Sequence, residues 1–139
     1  AAEPPAGCAV LDFGCGSGVL ALAALALGAR TVLAVDHDPQ ALAATRENAA
    51  LNDCAPRLSV REALPAEARC ALLLANVLAR PLVELAPRLR AAVEPGGRAV
   101  LSGILPEQAA AVEAAWPDFA FARHEDEGWL CLDGRRRDP

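Results

Sequence analysis

Three glycines at alternating positions, Gly14, Gly16 and Gly18, interrupt the stretch "VLDFGCGSGVLALAALALG" between an apolar run and an alanine- and leucine-rich segment. An interior glycine costs roughly 0.5–1 kcal/mol relative to alanine, so three so close together need a backbone reason, a ligand, or both. A tight turn there lets the backbone lie against a ligand, and a helix that follows it opens with free N–H groups and a positive dipole end. Two later apolar runs also end in polar residues: "TVLAVD" in Asp36 and "ALLLAN" in Asn76. A carboxylate at the end of a second strand stands at the right distance from such a loop to accept hydrogen bonds from a ribose diol. The chemistry these residues suggest is recognition of a nucleoside.

The spacing narrows the choice. The dinucleotide fingerprint is G-x-G-x-x-G, whereas this loop reads G-x-G-x-G and is preceded by Asp12. An oxidoreductase using a dinucleotide is therefore disfavoured, and the shorter pattern resembles that of S-adenosylmethionine-dependent methyltransferases. Cys15 reads as a small loop residue, because no neighbouring histidine or cation lowers its pKa. His37 and His124 have no partner at a metal-ligand spacing, and no metal site is expected.

The elements that would position these groups follow from period and punctuation. Ala9–Phe13 is a short apolar run bounded by glycine, the mark of a strand buried on both faces. Residues 18–27 read as a helix closed by Gly28. Residues 31–36 form a second buried strand. Asp38 and Pro39 cap and open a helix reaching about Asn52. A weaker strand is expected at 57–60, another at 71–76, and a helix over 81–93 that Pro87 kinks or interrupts. "EPGG", residues 94–97, reads as a turn, followed by a strand at 98–104 and a helix at 106–116. Strands at 119–123 and 129–133 flank the charged "HEDEG" turn. Alternating strands and helices imply an α/β fold, a mostly parallel sheet with helices on both faces and an antiparallel hairpin at one edge. Residues 1–8 read as a linker or cut end, 9–136 as one domain and 137–139 as a tail.

Composition sets the outer bounds. A chain of 139 residues suits one core, and mean hydropathy of +0.24 excludes disorder. A net charge of −5 offers no basic footprint for nucleic acid. The cationic cluster Arg135, Arg136 and Arg137 reads as a solvated tail. Five cysteines, odd in number and without a C-x-x-C pair, argue against a disulfide framework and for a reducing cytoplasm. The apolar run at 19–27 is too short to span a bilayer, so no membrane partner is expected, and a monomer is the default.

Four segments together, "VLDFGCGSGVLALAALALGA", "VDHDPQALAATRENAALN", "LLLANVLARPLVELAP" and "PGGRAVLSGILPEQAAAV", resemble the ribosomal protein L11 methyltransferase family. The glycine loop is common to many methyltransferases; "ANVLARPL" and "LSGILPEQ" are far more specific. The resemblance implies a Rossmann-like class I methyltransferase fold with a seven-stranded sheet and S-adenosyl-L-methionine as cofactor. Asp12, Gly14 and Gly16 would lie against its methionine and ribose part, with Cys15 and Gly18 in the same loop. Asp36 would hold the ribose hydroxyls with His37 beside it, Glu62 and Ala63 would flank the adenine, and Asn76 would stand beside the transferable methyl group as the catalytic residue. The implied substrates are amines, the α-amino group and lysine side chains of the large-subunit stalk protein of the ribosome. Family members also carry an N-terminal recognition domain, so this chain looks like the catalytic domain alone. A small-molecule methyltransferase on the same scaffold, or a non-catalytic cofactor-binding or scaffold domain, are the competing expectations.

Overall fold

Strand order brings the polar strand ends together. The computed structural model describes residues 7–137, so most of the expected linker and the last two residues of the expected tail lie outside the described residues. The elements are β1 (Ala9–Phe13), α1 (Val19–Ala26), β2 (Thr31–Val35), α2 (Pro39–Leu51), β3 (Leu58–Arg61), β4 (Cys70–Asn76), α3 (Ala79–Glu84), α4 (Ala86–Ala92), β5 (Val93–Ile104), α5 (Ala109–Ala115), β6 (Phe119–Asp126) and β7 (Trp129–Arg136). They build a seven-stranded sheet in the order β3-β2-β1-β4-β5-β7-β6. The first five strands pair in parallel, and β7 runs antiparallel between β5 and β6.

Successive residues of a strand point to opposite faces, and here they enter two separate cores. Val10, Val32 and Leu72 pack with Ala21, Ala24, Leu25, Leu42 and Ala49 beneath α1 and α2. Leu11, Leu73, Ala99 and Leu101 pack with Leu82, Leu89, Val112 and Trp116 beneath α3, α4 and α5. Ala21 and Ala24 of α1 and Ala49 of α2 are buried, and their small side chains let those helices approach the sheet closely. Asp38 caps α2 by accepting the Gln40 N–H, with Pro39 in the first helical position. Among the described residues no helix is long and apolar enough to cross a membrane.

Several expected elements differ in their limits. The helix over 81–93 begins at Ala79 and divides at Leu85, and Pro87 occupies the first turn of α4, where its missing N–H leaves no bond unmade. The expected turn at 94–97 does not separate helix from strand. Val93 already pairs with Cys70, and the pairing resumes at Leu72 with Arg98, so the intervening residues bulge from a single strand, β5. The helix expected from Pro106 opens as a 3-10 turn, Pro106–Gln108. The final hairpin is longer than hydropathy suggested. His124, Glu125 and Asp126 belong to β6, and only Glu127 and Gly128 turn, both with positive φ.

The arginine cluster is not a solvated tail. Arg135 and Arg136 lie in β7 and pair with Arg98 of β5 and Phe119 of β6. Arg136 donates to the Val93 carbonyl at 2.5 Å and lies 3.4 Å from Asp118, which also accepts from Arg90 at 2.7 Å. The Arg137 backbone N–H donates to the Asp118 carbonyl, and its guanidinium to the Pro117 carbonyl at 3.2 Å. Partners distant in sequence hold these cations.

Candidate functional site

The carboxyl ends of β1, β2 and β4 open onto one cleft of about 600 Å³, the place where open parallel sheets bind ligands. From the sequence-derived set, Gly14, Asp36, His37, Glu62, Ala63 and Asn76 line it. Asp12, Cys15, Gly16 and Gly18 do not; Cys15, Gly16 and Gly18 belong to the loop itself, and Asp12 to β1 beneath it. Phe13, Val35, Leu64 and Val77 complete the sheet side, and Pro81, Glu84, Leu85, Arg88 and Leu89 form the opposite wall. That wall was absent from the sequence reading. Amphipathic spacing in α3 and α4 marks the residues that face the core, but not those that overlook a strand end.

Asp36 ties the loop to the cleft. Its Oδ2 accepts the Gly16 N–H and its Oδ1 the Asp38 N–H, both at 3.0 Å. Each oxygen keeps a lone pair for a further donor. The His37 ring stands 3.7 Å from Oδ1 and is 99% exposed. Gly14 turns the chain with φ of 77°, and its amide donates to the Val35 carbonyl at 2.7 Å. A Cβ on Gly14 would lie 2.4 Å from Cγ1 of Val77, so a side chain here would push into the cleft wall. The β3–β4 loop that carries Glu62 and Ala63 is pinned to α4 by Arg88, which donates to the Leu64 carbonyl at 2.5 Å.

Asn76 ends β4, and Ser102 of the neighbouring strand donates to its Oδ1 at 3.2 Å. That bond holds the amide in one orientation. The Cys15 thiol is pushed up chiefly by burial; a bond from Thr45 opposes this, and the nearby Asp12 and Asp36 charges add to it. Such a thiol is a poor nucleophile. Among the described residues no group of histidine, cysteine, aspartate and glutamate could hold a metal ion.

Asp12 lies deepest of the sequence-derived set. It is 1% exposed, beneath the loop, and one of its oxygens, Oδ2, has no hydrogen-bond partner. Period two explains this, since Asp12 shares a face with Val10, under α1. Burial raises its pKa to about 6 from an ordinary 3.8; a backbone bond at Ala21 in the first turn of α1 opposes the rise, and the Asp36 charge adds to it. A carboxyl with a raised folded pKa is protonated first in the folded state. Ionisation therefore costs stability above about pH 6, and the cost disappears as pH falls toward 3.8. The gap corresponds to roughly 3 kcal/mol at neutral pH. Asp12→Asn is expected to be more stable than the unmodified chain at pH 7 by up to that amount, with the advantage shrinking toward pH 4. Urea unfolding of both chains across that range measures the difference, and a difference independent of pH would exclude titration of Asp12.

The sheet order, the glycine loop after β1 and the acid ending β2 define a class I methyltransferase fold. The chain belongs to the ribosomal protein L11 methyltransferase (PrmA) family, whose pattern matches residues 4–137. It is 54% identical over 134 residues to the ribosomal protein L11 methyltransferase of Xylella fastidiosa, covering 92% of this chain and 43% of that protein. Identity to the Azotobacter vinelandii protein of the same name is 50% over 137 residues, covering 95% and 47%. The chain thus spans a little under half the length of these curated relatives. The crystal structure of a ribosomal protein L11 methylase from Lactobacillus delbrueckii subsp. bulgaricus superposes with a TM-score of 0.88 at 32% identity, covering 94% of this chain and 71% of that one. An RNA methyltransferase from Salinibacter ruber, solved in complex with S-adenosyl-L-homocysteine, shares the fold with a TM-score of 0.76 at 16% identity, covering 95% and 82%.

Proposed function

We propose that the chain is the cofactor-binding and catalytic half of an S-adenosyl-L-methionine-dependent methyltransferase acting on amino groups of ribosomal protein L11. One observation carries the reading: Asp36, at the end of β2, accepts a glycine-loop N–H with one oxygen while lining a cleft of about 600 Å³. The volume lies within the range of small-molecule sites. The walls suit a nucleoside, with Phe13, Val35, Leu64 and Leu89 apolar and a few polar groups placed among them.

Asp36 would hold the ribose hydroxyls, Glu62, Ala63 and Leu64 would flank the base, and Gly14 would lie against the remainder. When bound, the cofactor supplies an electrophilic methyl group on a sulfonium. The protein's part is alignment. Asn76, fixed by Ser102, offers the second lone pair of its Oδ1 to an N–H of the incoming amine, turning the nitrogen lone pair toward the reacting carbon. The amine must arrive unprotonated to attack. The names of the relatives support ribosomal protein L11 as the substrate, and the resemblance points to its α-amine and lysines. Five cysteines, odd in number and without a C-x-x-C pair, support a reducing, cytoplasmic setting.

Calorimetric titration with S-adenosyl-L-homocysteine tests the reading, with NADH as control. Saturable binding of the first and none of the second is expected, followed by transfer of labelled methyl groups to purified ribosomal protein L11. Binding of NADH instead would overturn the cofactor assignment. Methyl transfer to other amines but to none of L11 would overturn the substrate.

A further inference from the structure

The glycine loop is gripped from α2 by side chains that never reach the cleft. Thr45 is wholly buried, and its Oγ1 donates to the Gly16 carbonyl at 3.0 Å. A threonine within a helix commonly turns its hydroxyl back to its own helix carbonyls; this one crosses to another segment. Gly16 is thereby held on both sides, its N–H by Asp36 at 3.0 Å and its carbonyl by Thr45. Near one turn further along α2, Asn48 donates to the Ser17 carbonyl at 2.9 Å, and the Asn52 amide donates to the Asn48 carbonyl at 2.8 Å. Gly18 records the close approach. A Cβ there would lie 2.9 Å from Cγ2 and 3.2 Å from Cα of Thr45, so the third glycine is what lets Thr45 reach the loop.

We propose that Thr45, supported by Asn48, is a positioning residue for cofactor binding: its hydroxyl fixes the Gly16 peptide, keeping the Gly16 N–H on Asp36 and the carboxylate aimed into the cleft. This rests on the nucleoside reading of the site. Without the hydroxyl the Gly16 carbonyl keeps only the long Cys15 thiol contact at 3.9 Å, the loop peptides are freer to rotate, and the Gly16 N–H that orients Asp36 is no longer fixed. Cys15, whose sulfur lies 3.4 Å from Thr45 Oγ1, packs the same junction.

The test is titration calorimetry of the 139-residue chain with S-adenosyl-L-homocysteine. Thr45→Val keeps the shape and removes the hydroxyl, and it is expected to weaken binding about tenfold or more. Thr45→Ser restores the hydroxyl and is expected to bind within about threefold of the unmodified chain. In the ligand-free proteins, the Gly16 amide should exchange faster with solvent in Thr45→Val and not in Thr45→Ser. A purely structural role for Thr45 would move neither pair apart in this way. Equal binding by Thr45→Val and the unmodified chain overturns the inference alone, as does equal weakening by Val and Ser. Failure of the unmodified chain to bind overturns the cofactor reading and this inference with it. If Thr45→Val does not fold, Asn48→Ala decides. Weakening of a few-fold with a more mobile Gly16 amide supports the grip, and unchanged binding overturns it.

Discussion

Asp36→Ala should weaken S-adenosyl-L-homocysteine binding at least about 100-fold, with Asp36→Asn falling between the two. Hydrogen bonds to a charged group contribute roughly 1.5–3 kcal/mol each, and a ribose diol offers two. Their loss alone reaches about two powers of ten in affinity. A second loss compounds it, because the same carboxylate holds the Gly16 N–H and the Asp38 N–H. Alanine removes the diol partner and loosens the loop and the start of α2 together. Asparagine keeps one acceptor oxygen, so it holds either the loop or a hydroxyl, but not every donor. Calorimetry on the three chains, with thermal unfolding to confirm folding of each, measures the effect. Binding by Asp36→Ala within tenfold of the unmodified chain would place the ribose elsewhere.

Much of this site was legible because its residues stand where one kind of pattern stops. An apolar run that ends abruptly in Asp36 or Asn76 marks both a strand and the polar end of that strand, and the glycine spacing marks the turn beside it. The start of α2 was equally plain, since Asp38 and Pro39 act through the chain's own next few residues. Groups whose role depends on distant partners were not legible. Arg136 looks like tail until Asp118 and Val93 are brought beside it. Arg88 is one more cation on a helix until it meets the Leu64 carbonyl. Alternation in β1 puts Asp12 on the inward face with Val10, where its carboxyl meets the first turn of α1 from below; a place beside the cofactor is what the family resemblance alone implies for it. Thr45 had no local signal at all, because a threonine amid alanines in a helix says nothing about the loop it will touch.

The largest expected loss of stability lies far from the glycine loop, at Trp116. The residue has no exposed surface, stacks edge-on against Phe119 with ring centroids 5.1 Å apart, and meets Phe121 at 6.2 Å. Its indole N–H donates to the Leu82 carbonyl at 3.0 Å. Trp116→Ala should cost about 3–5 kcal/mol through lost burial and the cavity left behind, and it also orphans a buried carbonyl. Domains of this size are stable by about 5–15 kcal/mol, so the variant is expected to be marginal at room temperature. Trp116→Phe keeps most of the ring and loses the donor, for an expected cost of about 1–3 kcal/mol. Urea midpoints at unchanged slope measure both. The bond to Leu82 also ties the end of α5 to α3, which carries Pro81 and Glu84 of the cleft wall. Cofactor affinity in Trp116→Phe should therefore fall more than in a variant of similar stability cost at the amino end of the sheet, such as Val93→Ala at the start of β5, with both measured where the chains are fully folded. If the two lose affinity equally, the tie between α5 and the cleft wall has no functional weight beyond holding the core together.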